Sequence, residues 1–218
     1  MPVLTHAQAR RVYDRIGARQ DTQAFYEDRA TRILIEHGRF DTARQVFEFG
    51  CGTGRFAQLL FTKHLPQSAR YRGIDLSPTM IDLARGRLAS FGSRAEVVLT
   101  DGSLPTAEPT GASDRFVSNF VLDLLSEEDV AAVIREAERI VKPEGLLCLA
   151  SLSTGNGGLA SVMASVWTRV HAFWPALVGG CRPLDLLSWV PTQRWTILHH
   201  RHLVPFGIPS EVLVAQRR

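Results

Sequence analysis

Val46-Phe47-Glu48-Phe49-Gly50-Cys51-Gly52-Thr53-Gly54 is an apolar run broken by three alternate glycines. Just beyond it, Phe56, Ala57, Leu59 and Leu60 recur at helical spacing, which predicts a strand, a tight turn and a helix. Glycines at such a turn let a ligand lie against the backbone, because no Cβ fills the space. Glu48 adds a fixed negative charge beside the turn. The spacing is G-x-G-x-G, and Arg55 stands where the dinucleotide fingerprint G-x-G-x-x-G has its last glycine. A helix N-terminus meant for a pyrophosphate gains nothing from a neighbouring acid, whereas a cationic ligand does. Taken alone, the turn is equally well explained as plain chain reversal.

Outward from this point, apolar strand runs alternate with amphipathic helices, which predicts a mostly parallel sheet covered on both faces. Strands are expected at 45–49, 71–75, 95–100, 115–121 and 146–152. Ser77-Pro78 opens the helix that buries Met80, Leu83, Ala84 and Leu88, with serine as cap and proline in the first turn. Ser126 with Asp129 resembles a capping box before the stripe Val130, Val133, Ile134, Ala137 and Val141, and Pro143 and Gly145 stop that helix. A further apolar helix is expected at 159–177. Two final strands, 195–204 and 212–215, are joined by too short a link for a crossover helix, so they should pair antiparallel. The expected fold is a Rossmann-like, doubly wound α/β sheet of seven strands, mostly parallel, with an antiparallel C-terminal hairpin. Helices around Ala9, Val12, Tyr13 and Ile16, and over 25–37, precede it.

Length and composition bound the rest. At 218 residues a single domain with decorated ends is expected. Cys51, Cys148 and Cys181 are scattered and odd in number, without ligand spacing, which fits a reduced cytoplasmic protein. Residues 1–11 lack the apolar stretch of a signal peptide. The longest apolar region, 159–180, is interrupted by Arg169, His171 and Pro175, so it reads as contact with a membrane surface at most, not as a span. The formal charge is only +3, and 25 basic residues alternate with 22 acids instead of forming a block, so no nucleic-acid partner is expected. Oligomeric state is not legible.

Two more carboxylates sharpen the ligand. Asp75 ends the second strand, 21 residues past Gly54, and can accept hydrogen bonds from both hydroxyls of an adenosine ribose. Asp101-Gly102 ends the third strand at the same sheet edge, where ligands of open α/β sheets bind.

Together these residues resemble the class I S-adenosylmethionine-dependent methyltransferase family, over residues 45–152. The resemblance implies that Glu48, Gly50, Cys51, Gly52, Thr53 and Gly54 cradle the methionine part of S-adenosylmethionine and that Asp75 binds its ribose. It implies that Leu76 and Met80 flank the adenine, that Asp101 meets its amine and that Gly102 leaves room. Asn119-Phe120-Val121-Leu122-Asp123 is similar to the family stretch that lines the methionine moiety and opens on the acceptor. The segment from Tyr13-Asp14 through Tyr26-Glu27 is similar to the lid of small-molecule members such as quinone and phosphatidylethanolamine methyltransferases. There a tyrosine reaches cofactor or acceptor; here that would be Tyr13 or Tyr26, although both also suit ordinary helix packing. On this likeness residues 1–43 form a lid, 44–152 the cofactor core and 153–218 the acceptor side and hairpin. A metabolite, quinone or lipid headgroup would be methylated, leaving S-adenosylhomocysteine.

Methyl transfer from a sulfonium is an in-line displacement that needs alignment and exclusion of water. A hydroxyl or amine acceptor also needs a base, for which Asp123 and His171 are the candidates. Asp123 also reads as a solvated residue ahead of the Ser126 cap, and His171 as a locally satisfied histidine. His200 and His202 would share a strand face beside His199, but no carboxylate or cysteine lies near in sequence, so no metal is expected. Trp167, Phe173 and Trp174 read as core or as an acceptor box. The rival classes are an NAD-dependent oxidoreductase, whose fingerprint is missing, and a non-catalytic nucleoside-binding module on the same fold.

Overall fold

The computed structural model describes residues 4–154 and 182–218. Within them the chain forms β1 (Gln45–Phe49), β2 (Arg70–Asp75), β3 (Ala95–Leu99), β4 (Ser113–Asn119), β5 (Val141–Leu152), β6 (Trp195–Leu203) and β7 (Ser210–Arg217). The helices are α1 (His6–Ile16), α2 (Ala24–His37), α3 (Arg55–Lys63), α4 (Pro78–Leu88), α5 (Glu127–Ile140) and α6 (Leu186–Trp189). The helix expected at 159–177, with His171, Trp167, Phe173 and Trp174, lies outside the described residues, as does Cys181.

All seven strands join one sheet in the order β3-β2-β1-β4-β5-β7-β6. The first five run parallel; β7 pairs antiparallel with β6, as the short 205–209 link requires, and antiparallel with β5 as well. Strand order reverses between β1 and β4, and the crevice of such a sheet opens at that reversal. The sheet is apolar on both faces because both are covered. One face packs Leu34 of α2, Leu60 of α3 and Ala84 of α4 against Val46, Val117 and Val214. The other packs Val130, Val133 and Ile140 of α5 and Leu186 of α6 against Phe47, Phe116 and Leu213.

The local signals act as their chemistry dictates. The Ser77 hydroxyl accepts from the Met80 amide at 3.2 Å, with Pro78 in the first turn. The Ser126 hydroxyl accepts from the Asp129 amide at 3.0 Å. Some bounds differ from the expectation: β4 ends at Asn119 instead of 121, β7 runs over Ser210–Arg217 instead of 212–215, and Val141 is not the end of the α5 stripe but the first residue of β5, where it pairs with Ser113. A register shift between Ser113 and Arg115 absorbs Pro143 and Gly145 inside the strand. The buried Arg115 guanidinium donates to the carbonyls of Gly38 at 2.7 Å and Arg39 at 2.6 Å, so a charge from β4 caps the end of α2 and fixes it on the sheet.

Candidate functional site

At the carboxyl edge, beside the β1/β4 reversal, lies a cavity of about 390 Å³. Its wall takes in Tyr13, Glu48, Gly50, Cys51, Gly52, Thr53, Asp75, Leu76, Met80, Gly102, Asn119, Phe120 and Val121. Thirteen of the sequence-derived positions thus converge on one space.

The three glycines have three different jobs, and all have positive φ. A Cβ on Gly50 would lie 2.4 Å from a Val121 methyl, so this glycine lets the end of β4 close on the end of β1. Phe120, at φ 55°, turns the chain there and brings Val121 back. A Cβ on Gly54 would stand 3.1 Å from Ala84, so this glycine seats α3 against α4, and it lies off the cavity wall. A Cβ on Gly52 would meet nothing within 4 Å. It alone presents bare backbone to open space, as a ligand cradle requires.

Asp75 supports that cradle. One of its oxygens accepts from the Gly52 amide and the other from the Ser77 amide, each at 2.9 Å. Each oxygen keeps acceptor capacity for a ligand hydroxyl. Burial raises its pKa, against the pull of those backbone hydrogen bonds. Glu48 is buried more deeply still, and the Tyr71 hydroxyl donates to it at 2.5 Å. Burial pushes its pKa up to about 8, with the charge of Asp75 adding to the effect and Tyr71 opposing it. The negative charge assigned to Glu48 from sequence is therefore conditional: near neutrality the carboxyl holds its proton until a cation arrives.

Two other groups point to a polar ligand. Asn119 Oδ1 is buried at the cavity wall without a hydrogen-bond partner among the described residues. Among the described residues, Asp21, Glu27, Glu48, Asp75 and Asp129 line the wall against a single arginine, Arg55, so these carboxyls favour a cation. Arg55 is itself paired with Asp28 of α2 at 2.5 Å.

The N-terminal elements close over this edge through specific contacts. The Ser77 hydroxyl donates to Asp14 of α1 at 2.6 Å. Thr53 donates to Asp21 at 2.7 Å, and Arg87 donates to both Thr53 and Asp21 at 2.6 Å, locking the 3-10 segment Gly17–Gln23 to the glycine turn and to α4. A Cβ on Gly102 would press on the His6 ring at 2.9 Å, so this glycine leaves room for α1 to close.

Besides Gly54, four expected positions stand elsewhere or outside. Tyr26 is buried edge-on against Phe120, with ring centres 5.7 Å apart, and lies off the wall, whereas Tyr13 lies on it. Asp101 is exposed and off the wall; the Ser103 amide donates to it at 2.9 Å and holds its pKa low. Asp123 is neither solvated nor on the wall: it is fully buried and accepts from the Ser151 hydroxyl at 3.3 Å. His171 lies outside the described residues.

Sequence reasoning missed Glu27 as a titratable group. It lines the cavity from the first turn of α2, and burial, reinforced by the charge of Asp123, raises its pKa to about 7. No local pattern marks it. The Tyr71 contact with Glu48 did leave a trace, because Gly73, the strand partner of Glu48, is the gap that the Tyr71 hydroxyl fills, and an isolated strand glycine signals such an approach.

Comparison with known proteins agrees with this geometry. Residues 46–145 match the family model of a methyltransferase domain. Over that stretch the chain is similar to methyltransferase domains. It is 26% identical over 162 residues to a malonyl-[acyl-carrier protein] O-methyltransferase of Serratia marcescens, covering 72% of this chain and 56% of that protein. It is 31% identical over 119 residues to a carboxy-S-adenosyl-L-methionine synthase of Chromohalobacter salexigens, covering 54% of this chain and 42% of that one. The chain thus spans about half the length of these curated relatives. Among solved structures it is similar to the [4+2]-cyclase SpnF, with a TM-score of 0.73 and 17% identity over 100% of this chain and 98% of that one. That likeness concerns the fold alone. Among the described residues no helix is long and apolar enough to cross a membrane.

Proposed function

We propose that this protein transfers the methyl group of S-adenosylmethionine to a small-molecule acceptor. The observation that carries the proposal is Gly52, bare toward the cavity and hydrogen-bonded to the carboxylate of Asp75. When bound, the cofactor supplies an electrophilic methyl on a sulfonium. Asp75 accepts from the ribose hydroxyls, and Leu76 and Met80 flank the adenine. Glu48 and Asn119 Oδ1 attract the positively charged end of the ligand. Asp101 meets the adenine amine from the rim of the cavity.

Of the two lid tyrosines, Tyr13 faces the ligand, because it lines the cavity while Tyr26 packs behind it. Glu27 takes the proton from an acceptor hydroxyl or amine, and Asp123, buried nearby, acts on it through charge instead of touching the acceptor. The lid 1–43, core 44–152 and acceptor side 153–218 work as one unit in the cytoplasm. A metabolite, a quinone or a lipid headgroup suits the apolar wall around Phe49, Leu124, Leu125 and Val133, the last two meeting the protein at a membrane surface.

Incubation of small-molecule extracts with methyl-labelled S-adenosylmethionine tests this. Label is expected in a small organic product with release of S-adenosylhomocysteine. Label confined to protein, or no transfer from any extract, contradicts it.

A further inference from the structure

The fold supplies what the histidine run lacks in sequence. In the β6–β7 ladder His202 lies directly opposite Glu211, and His200 sits two residues before His202 on the same sheet face. A register shift between Ile197 and His199 sends His199 to the other face, where it stacks on His37 of α2 with ring centres 3.5 Å apart. His200 Nε2 stands 2.6 Å from Glu211 Oε1, His202 Nε2 stands 3.9 Å from the same oxygen, and the candidate donor atoms all lie within 4.8 Å of one another.

We propose that His200, His202 and Glu211 bind one divalent transition-metal cation of the zinc type, at a site separate from the cofactor cavity. Two imidazoles and a carboxylate suit such a cation, and three protein donors leave the fourth corner of a tetrahedron for water. Bond lengths of about 2.0–2.2 Å put tetrahedral donors roughly 3.4 Å apart. That value falls between the 2.6 Å and 3.9 Å separations observed, so small side-chain shifts close the site.

The surrounding contacts orient these donors as metal sites require. His202 Nδ1 lies 2.9 Å from the Ser153 hydroxyl, which fixes the ring and turns Nε2 toward Glu211. The Leu186 amide donates to Glu211 Oε2 at 2.9 Å, leaving Oε1 for the cation. Glu211 is fully buried, and a buried carboxylate demands a positive partner. None of the three residues lines the cavity. Since β6 is an edge strand, a cation here would fasten it to β7 and, through Ser153, to the end of β5.

Equilibrium dialysis of untagged, chelator-treated protein against Zn²⁺ provides the test, with Co²⁺ as a spectroscopic probe. One equivalent per chain is expected, with a raised melting temperature and the intense visible absorption of four-coordinate cobalt. His200→Gln and His202→Gln should abolish the stoichiometric site, and Ser153→Ala should weaken it by about 10- to 100-fold. Affinity for S-adenosylhomocysteine should not change. Less than one equivalent in the wild type overturns the proposal, as does full binding by folded His202→Gln. Should a variant fail to fold, the wild-type cobalt spectrum decides: octahedral, weakly absorbing cobalt overturns it too.

Discussion

Gly52 and Asp75 are joined by one hydrogen bond, from the Gly52 amide to Asp75 Oδ2 at 2.9 Å across 23 residues of sequence. It couples the glycine turn after β1 to the acidic tip of β2, so the carboxylate both shapes the cradle and faces the ligand. Asp75→Ala should lower stability by about 1–3 kcal/mol, because two backbone amides lose a charged acceptor. Asp75→Asn should restore part of that stability. Both should bind S-adenosylhomocysteine at least about tenfold more weakly, a loss of about 1.4 kcal/mol. Thermal melts read the first effect and calorimetry the second.

Gly50 and Gly52 should respond oppositely to alanine. Gly52→Ala carries roughly 1–2 kcal/mol of left-handed backbone strain. It should still fold, but its methyl enters the cavity and weakens cofactor binding. In Gly50→Ala the methyl meets Val121 at 2.4 Å, so folding suffers first, and Val121→Ala should recover part of it. Denaturation and binding curves on the four proteins separate the two roles.

Glu27 should set the rising limb of the rate profile. Its carboxyl, raised to about 7 by burial and by the charge of Asp123, works as a base only when deprotonated. Activity toward a hydroxyl or amine acceptor should therefore increase as pH passes through about 7. Glu27→Gln should lose about 100-fold or more in kcat, with a much smaller loss of cofactor affinity. A pH profile that the substitution leaves intact would assign the base elsewhere.

Glu48 links ligand binding to protons. With a folded pKa of about 8 against an ordinary 4.5, the unliganded protein holds a proton that the unfolded chain releases. This carboxyl therefore contributes stability below about 4.5, and the contribution is lost as pH rises through about 8. A cationic ligand favours the ionised form, so affinity should rise from pH 6 to about 8, with proton release at pH 7. Calorimetry in two buffers of different ionisation enthalpy counts those protons, and Glu48→Gln should remove most of the signal while flattening the stability slope.

What was legible in the sequence was what short-range chemistry specifies. The bounds of β1, the Ser77 and Ser126 caps and the antiparallel hairpin follow from residues within a few positions of one another. Asp75 was legible because a fixed strand-turn-helix length separates it from the glycines. Contacts made between elements were not. The approach of Glu27 to the cavity depends on α2 settling across the sheet edge, and the burial of Asp123 beside Ser151 depends on β5. Glu211 meets His200 only because β6 and β7 pair in one register. Val141 was misassigned because its helical spacing looks the same whether it ends α5 or starts β5, and only Ser113 across the ladder decides.

Calorimetric titration of the unliganded protein with S-adenosylhomocysteine and, separately, with NAD is the most direct measurement. Methyl transfer at this site predicts one S-adenosylhomocysteine per chain at micromolar affinity, about −8 kcal/mol, and a flat NAD isotherm. A flat isotherm for S-adenosylhomocysteine, or tight binding of NAD, would contradict it.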